Sequence, residues 1–570
     1  MRAKTSRCLV VTFLLTGLLV AQSCIPWPLP WPFPPTAPTP QPTVTATPPL
    51  TLAPFPTPAD LYIAPGDIAI YPGPEHYAGD RLTLDVVPQN VGAIDPGTIA
   101  VEIYRGRVAP ENVVASGVAG YPTFDGRPRA RMVWAWDTAG LSGEVALIAA
   151  IDPEDRIHAG DEDPTNNVVT FTVYLSPSYA LPPPESVTRW LSTTTDCCTF
   201  YYLDDTAADR DMPTITAVAN EALRHVEQQL GVDLNDPLRI YFLARVIGHG
   251  GYAYDAVALS YLDRNYAGCD LPTVLRHEGT HVLDGLDLRV YPPSLLREGL
   301  ATWVAGGHFK PEPIPERAAA LLVLDRYIPL RPLAQDFYRQ QHEIGYLEGA
   351  ALVAYLVDRY GWETFWRFYH SFEQAEDPVA MLDAALQRSF GLGLDETEDG
   401  LKAWLQAHPP TPAQVRDLQD TVDLFDTVRR YQERYDPAAY WMSGWMPNPT
   451  DGVKRGIVAD FVRCPRAPEN IALETMLIAA REALYQADFS TAEELIVAVN
   501  RVLDTGAFGG LPESDYLAMA RVVAAAGFEV QEVEIEGDTA QVWAIRDWPV
   551  LQQLTLQRTA GGWRLAPASR

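Results

Sequence analysis

Two histidines four residues apart, His277 and His281, bracket Glu278 in the stretch LPTVLRHEGTHVLDG from Leu271 to Gly285. On an α-helix, positions i and i+4 lie one above the other, so both imidazoles reach a single ion. Glu278 is offset by one residue, which aims it at a water beside that ion. Two neutral imidazoles and one carboxylate suit zinc, with a fourth position left to water. The metal would acidify the water, and Glu278 would take its proton as a general base and pass it to the leaving group. The competing reading is an ordinary amphipathic helix whose histidines satisfy local hydrogen bonds.

That chemistry needs a third ligand. Downstream, PPSLLREGLATW carries Glu298 inside a helix opened by Pro293 or Ser294, and a turn through DGLDLRVYPP would fold that helix back onto the first. His277, Glu278 and His281, followed after sixteen residues by Glu298, resemble the thermolysin-type gluzincin zinc metallopeptidases, in particular a peptidase-MA-like bacterial group with a similar Glu-Gly-Leu-Ala motif followed by an aromatic. The resemblance runs from about Thr199 to Phe372 and includes GHGGYAYDAVALSYL and YLEGAALVAYLVDRYG. It implies Zn2+ held by His277, His281 and Glu298, Glu278 as the base, Tyr346 stabilising the oxyanion, and a peptide or protein substrate added as an antiparallel strand along the strand before the motif helix. Two departures stand out. Thermolysin has an Asp where Thr302 lies here, so Thr302 is expected to accept from a ligand imidazole. Gly279 replaces a bulky residue at a cost of about 1 kcal/mol in a helix interior, which suggests close approach of a neighbouring strand.

The elements that must position these residues belong to a multidomain chain, since 570 residues exceed one compact core. Residues 60–177 alternate apolar and polar positions between turn signals and read as an antiparallel β-sandwich. YAGDRLTLDVVPQNVG, WAWDTAGLSGEVALIAAIDP and DEDPTNNVVTFTVYL there resemble the cell-adhesion-related (CARDB) bacterial domain, an immunoglobulin-like module whose partner is not legible. Its DPEDRIHAGDED stretch reads as solvated loop acids, with calcium binding as the alternative. Residues 187–409 put strands first and helices after, an α+β domain. A helical connector spans 410–468, and 469–570 form a second α+β domain whose helices-then-meander order resembles a SnoaL-like cone.

Residues 1–24 are a targeting segment: Arg2, Lys4 and Arg7 precede an apolar run too short for an ordinary span. Its end, LVAQSC, resembles a lipobox, so Cys24 is the lipidation candidate, with plain signal cleavage and secretion as the alternative. Residues 25–59 are a proline-rich, semi-rigid spacer. Export and a cell-surface or envelope location follow, with membrane attachment through the lipid alone. In an oxidising compartment Cys197, Cys198, Cys269 and Cys464 are disulfide candidates of unread connectivity, with a bridge from the Cys197/Cys198 pair to Cys269 as one possibility and buried free thiols as the alternative. A net charge of −30 argues against nucleic-acid binding. No nucleophile elbow or phosphate-binding loop is present. His249 reads as a surface loop residue with substrate contact as the alternative, and His308 and His342 receive no role. Against the peptidase reading stand a catalytically degenerate surface scaffold and a non-peptidase zinc hydrolase.

Overall fold

The computed structural model describes residues 60–566, apart from 74, 92–97, 120–122, 125–126, 129–131, 159–160, 181–187, 245–249, 254–255, 287, 376, 437–438 and 440–447. The targeting segment with Cys24, the proline-rich spacer, His249 and part of the connector lie outside the described residues. Contacts divide the chain at Leu181/Pro182 into two units, each with its own core.

The first unit contains β1 (Asp60–Tyr62), β2 (Ile68–Tyr71), β3 (Arg81–Val86), β4 (Gln89–Val91), β5 (Ile99–Arg105), β6 (Val113–Ala119), β7 (Thr123–Phe124), β8 (Arg127–Pro128), β9 (Met132–Asp137), β10 (Gly143–Ile151) and β11 (Val168–Leu175). Two antiparallel sheets, β2-β3-β9 and β11-β10-β5-β6, face each other. Alternate residues from both sheets, Leu82, Leu84 and Trp136 against Val101, Ile103, Leu147 and Ala149, fill one core. This is the period-2 burial of a sandwich. Four acids of the acidic stretch, Glu154, Asp155, Glu162 and Asp163, are exposed, as expected of solvated loop acids, and two are not. Asp152 and Asp161 are buried, Asp152 accepting from the Ile157 amide at 2.7 Å and Asp161 from Asn167 Nδ2 at 2.6 Å. They close the β10–β11 connection instead of facing solvent.

The second unit opens with β12 (Trp190–Thr194), β13 (Cys198–Leu203), α1 (Ala207–Leu230), β14 (Leu238–Leu243), β15 (Gly251–Ala253) and β16 (Val257–Ser260). They form one mixed sheet in the order β12-β13-β14-β16-β15. β13, β14 and β16 run parallel, and β12 and β15 close the edges antiparallel. The parallel interior explains why β14 and β16 read as nearly continuous apolar runs. The strand just before the motif helix, β16, is therefore covered, and β15 is the edge strand on that side. α1 buries Ile215, Ala219, Ala222, Leu223 and Val226 along one stripe and stops at Gly231, whose φ is 71°.

Helices then dominate: α2 (Leu271–Gly285), α3 (Ser294–Ala305), α4 (Ile314–Val323), α5 (Leu330–Gln335), α6 (His342–Tyr360), α7 (Trp362–Tyr369), α8 (Pro378–Phe390), α9 (Leu394–Gln406), α10 (Pro412–Tyr435), α11 (Pro449–Arg455), α12 (Ala459–Val462), α13 (Pro468–Tyr485), α14 (Phe489–Thr505) and α15 (Glu513–Ala525). An antiparallel meander, β17 (Glu529–Glu536), β18 (Thr539–Ile545), β19 (Leu551–Thr559) and β20 (Gly562–Leu565), ends the described chain. The sequence suggests three strands here. The third segment splits because its Gly-Gly step turns the chain at Gly562, φ 93°, and pairs Thr559 with Gly562. Residues assigned by sequence to the α+β domain, the connector and the C-terminal domain all lie within this single compact unit.

Two further expectations are corrected. A Cβ on Gly279 would stand 2.6 Å from Leu223 Cδ2 and 3.7 Å from Val226 Cγ2, so the close neighbour is helix α1 and not a strand. Cys197 and Cys198 pair with each other, and neither Cys269 nor Cys464 joins a disulfide among the described residues. Adjacent sulfurs meet without closing any loop, which leaves Cys269 buried as a small apolar group.

Candidate metal centre

α2 begins where the sequence places it. Asp270 caps it by accepting from the Thr273 amide at 2.7 Å, and Pro272 occupies the first turn. Leu271, Val274 and Leu275 anchor the helix against the sheet. That anchorage turns His277 and His281 towards α3, whose own register is set by backbone contact with α6. A Cβ on Gly299 would lie 2.4 Å from the Gly349 carbonyl oxygen, and one on Gly349 2.7 Å from that of Leu295. Only glycines permit that crossing, and Glu298 sits beside it.

The three side chains converge. Glu298 Oε2 lies 3.2 Å from His277 Nε2 and 3.1 Å from His281 Nε2, and the two imidazole nitrogens are 3.2 Å apart. A triangle of that size has its centre roughly 1.8 Å from each corner, so an ion at about 2.0 Å from each donor fits just above the plane. Among the described residues this is the one cluster of three or more His, Cys, Asp or Glu with that convergence. The donor set, two imidazoles and a carboxylate on helices, fits zinc.

Burial supplies the electrostatics. It pulls His277 down to about 4, leaving a neutral imidazole with its lone pair available. Burial acts the same way on His281, but the Glu298 charge and hydrogen bond outweigh it and raise that group. Burial opposes ionisation of Glu298, and His281 and His277 overcome it, holding the carboxyl well below the usual range. Glu278 is fully buried. Its Oε1 would stand 3.0 Å from a Cβ on Gly251, so β15 passes the carboxylate with only a hydrogen in the way.

Other expected positions differ in part. Tyr346 lies one turn inside α6 instead of at its start, its ring 5.8 Å from the His277 ring and stacked on His308 at 4.2 Å. Thr302 makes no imidazole contact: its buried hydroxyl and both ligand Nδ1 atoms have no hydrogen-bond partner among the described residues. A threonine hydroxyl is one bond shorter than an aspartate carboxylate and does not cross from α3 to α2.

Sequence reading missed several neighbours. Tyr338 donates to Glu298 Oε1 at 2.7 Å. Tyr369 donates to the buried Asp284 at 2.5 Å, one turn beyond His281. His308 Nδ1 pairs with Glu343 Oε2 at 2.7 Å, and the His308 ring lies 6.3 Å from that of His277. His308 also packs edge-on to His342 at 4.9 Å. Only the density of His, Tyr and Glu between Phe337 and Glu348 hints at this cluster in the sequence.

No protein-family model and no curated protein matches the chain. Among solved structures, an M1 zinc metallopeptidase from Deinococcus radiodurans is similar at 15% identity and TM-score 0.26, over 62% of this chain and 94% of that one. A CARDB domain of the PF1109 protein from Pyrococcus furiosus, in complex with di-metal ions, is similar at 17% identity and TM-score 0.17, over 21% of this chain and 94% of that one. A domain of a putative cell surface protein from Methanosarcina acetivorans is similar at 19% identity and TM-score 0.15, over 20% and 91%. At these values none of them assigns the chain to a family.

Proposed function

We propose that the protein is an exported zinc-dependent peptidase, anchored by a lipid on Cys24 and held off the membrane by residues 25–59. The observation that carries the reading is the buried triangle of His277, His281 and Glu298 donor atoms with Glu278 beside it on the same helix. Zinc bound in that triangle supplies a Lewis acid that acidifies water. Glu278, on the ligand helix and not itself a ligand, would take the water's proton and return it to the leaving amine. Tyr346 supplies a hydroxyl to the developing oxyanion.

A peptide substrate is favoured by the edge strand. Among the described residues β15 is an edge strand of its sheet, paired there with β16, and a sheet edge is where an extended peptide adds as an antiparallel strand. Gly251 on that strand leaves room for the Glu278 carboxylate, which lies close beside the strand to which the peptide would add. The immunoglobulin-like unit is a surface module, and the residue 469–570 segment is read as a SnoaL-like α+β fold. Metal analysis of the purified protein, paired with cleavage of an unbiased peptide library, tests the reading. About one zinc per chain and cleavage that a chelator abolishes are expected. A zinc-loaded protein that cleaves no peptide would leave a scaffold or a different zinc hydrolase. An acylated Cys24 in mass spectra of the mature protein is the expected sign of the anchor, and an unmodified start elsewhere removes it.

A further inference from the structure

The segments that flank the metal site are built into a core that belongs to another part of the chain. The loop from Tyr261 to Asp270 leads from β16 into the cap of α2. Arg264 in that loop is 2% exposed. Its guanidinium donates to Glu474 Oε2 at 2.5 Å, Glu529 Oε1 at 2.8 Å, the Val530 carbonyl at 2.8 Å and the Pro465 carbonyl at 2.9 Å. Arg481 of α13 donates to the Asn265 carbonyl at 2.5 Å, and Tyr266 donates to Asp436 at 2.8 Å.

The loop after α3 is held the same way. Phe309 is fully buried and packs on Phe425 and Tyr485, ring centroids 5.5 and 5.0 Å away. Tyr485 donates to the Phe309 carbonyl at 3.0 Å. Lys310 donates to Asp417 and to the Leu484 carbonyl. Tyr266, Ala267 and Phe309 are members of the hydrophobic core made by α10, α13, α14, α15 and the β17–β20 meander. His308, next to Phe309, carries the contact onward to Tyr346 and the His277 ring.

We infer that the C-terminal core, formed by α10 together with Pro468–Leu565, is a buttress of the metal site, and that Arg264 and Phe309 are the positioning residues through which it fixes the two loops bracketing the ligands. The inference rests on the metal-site reading above. A guanidinium with two carboxylates and two carbonyls on its fork specifies direction as well as attachment. Loss of that direction moves Asp270 and the first turn of α2, and with them His277. Removal of a group that hydrogen-bonds a metal ligand typically costs 10–100-fold in metal affinity, and a support one layer further out is expected at the low end of that range.

Two experiments on the full chain test this. Hydrogen exchange of the wild type with and without zinc should show protection spreading from α2 and α3 to α13 and β17, because coupling between sites is reciprocal. Arg264→Lys keeps the charge and loses the fork, and Phe309→Leu keeps an apolar group and loses its reach. Each variant, with a wild-type circular dichroism spectrum, should bind zinc about 10-fold more weakly and shift the visible absorption of the cobalt-substituted site. Wild-type zinc affinity and cobalt spectra in folded Arg264→Lys and Phe309→Leu would overturn the buttress. So would zinc-dependent protection confined to α2 and α3, a result that also decides the matter if both variants fail to fold. A wild type that binds no zinc at all removes the metal-site reading and the buttress together.

Discussion

Tyr338 donates its hydroxyl to Glu298 Oε1 across 2.7 Å, while the other oxygen of that carboxylate faces both imidazoles. Burial beside the Glu298 charge holds the Tyr338 phenol well above its usual range, so it stays a donor at any physiological pH. The tyrosine fixes which oxygen of Glu298 is left for a metal. Tyr338→Phe should therefore keep the fold and weaken zinc binding by about 10-fold, read by competition with a chromophoric chelator. Unchanged affinity would mean that Glu298 is oriented by packing alone.

The parts of this site legible in the sequence are those that depend on local geometry. His277 and His281 share a face because a helix repeats every 3.6 residues, and Asp270 caps because its side chain reaches the Thr273 amide. Glu298 is readable one step further out, since a short turn brings α3 back on α2. Tyr338, His308 and Glu343 are not readable that way. They reach the ligands through packing of α6 across α3, where the controlling residues are Gly299 and Gly349, and a glycine pair fifty residues apart carries no periodic signal. The β-sandwich unit is legible because buried and exposed positions alternate along strands such as β6 and β11. The interlock of residues 263–267 and 309 with the C-terminal core is hidden, because Tyr and Phe in loops look the same whether they serve a near core or a distant one.

The Gly299–Gly349 crossing should be the least tolerant point near the site. On Gly299→Ala the new methyl would lie 2.4 Å from a carbonyl oxygen and 2.9 Å from the Gly349 Cα, and backbone does not yield. A loss of about 3 kcal/mol or more in urea denaturation is expected, together with loss of zinc as Glu298 is pushed aside. Gly279→Ala is the contrast. Its methyl meets the Leu223 side chain at 2.6 Å, which swings away, and alanine regains about 1 kcal/mol of helix propensity, so the net change should stay within about 1 kcal/mol. Equal stability of the two variants would show that α3 and α6 do not cross at this point.

The buried Glu312 and Glu474 should each contribute less to stability as pH rises from about 5 to about 8. Burial pushes the Glu312 carboxyl up to about 8, with Arg317 pulling it down and Glu343 and Asp417 adding like charge. Burial likewise raises Glu474 to about 7 despite Arg264. In the unfolded chain both titrate near the ordinary glutamate value, about 4.3. Between the two values the folded state holds protons that the unfolded state has released, so raising pH favours unfolding. Glu312→Gln removes one of these groups while keeping its shape. Its melting temperature should decline less than that of the wild type between pH 5 and 8, and parallel curves would show that Glu312 is ionised in the fold.

Glu278→Gln separates an enzyme from a metal-binding scaffold. The amide nearly matches the carboxylate in size and leaves His277, His281 and Glu298 untouched, so zinc content and fold should stay as in the wild type. The amide cannot take up a proton, and a positioned acid–base group contributes typically 10²–10⁴-fold, so peptide cleavage should drop by that order. His281→Ala should instead lose zinc and cleavage together, because it removes one corner of the triangle. A Glu278→Gln protein that cleaves peptides at the wild-type rate with zinc bound would place the base elsewhere, and the buried His308–Glu343 pair would be the next group to substitute.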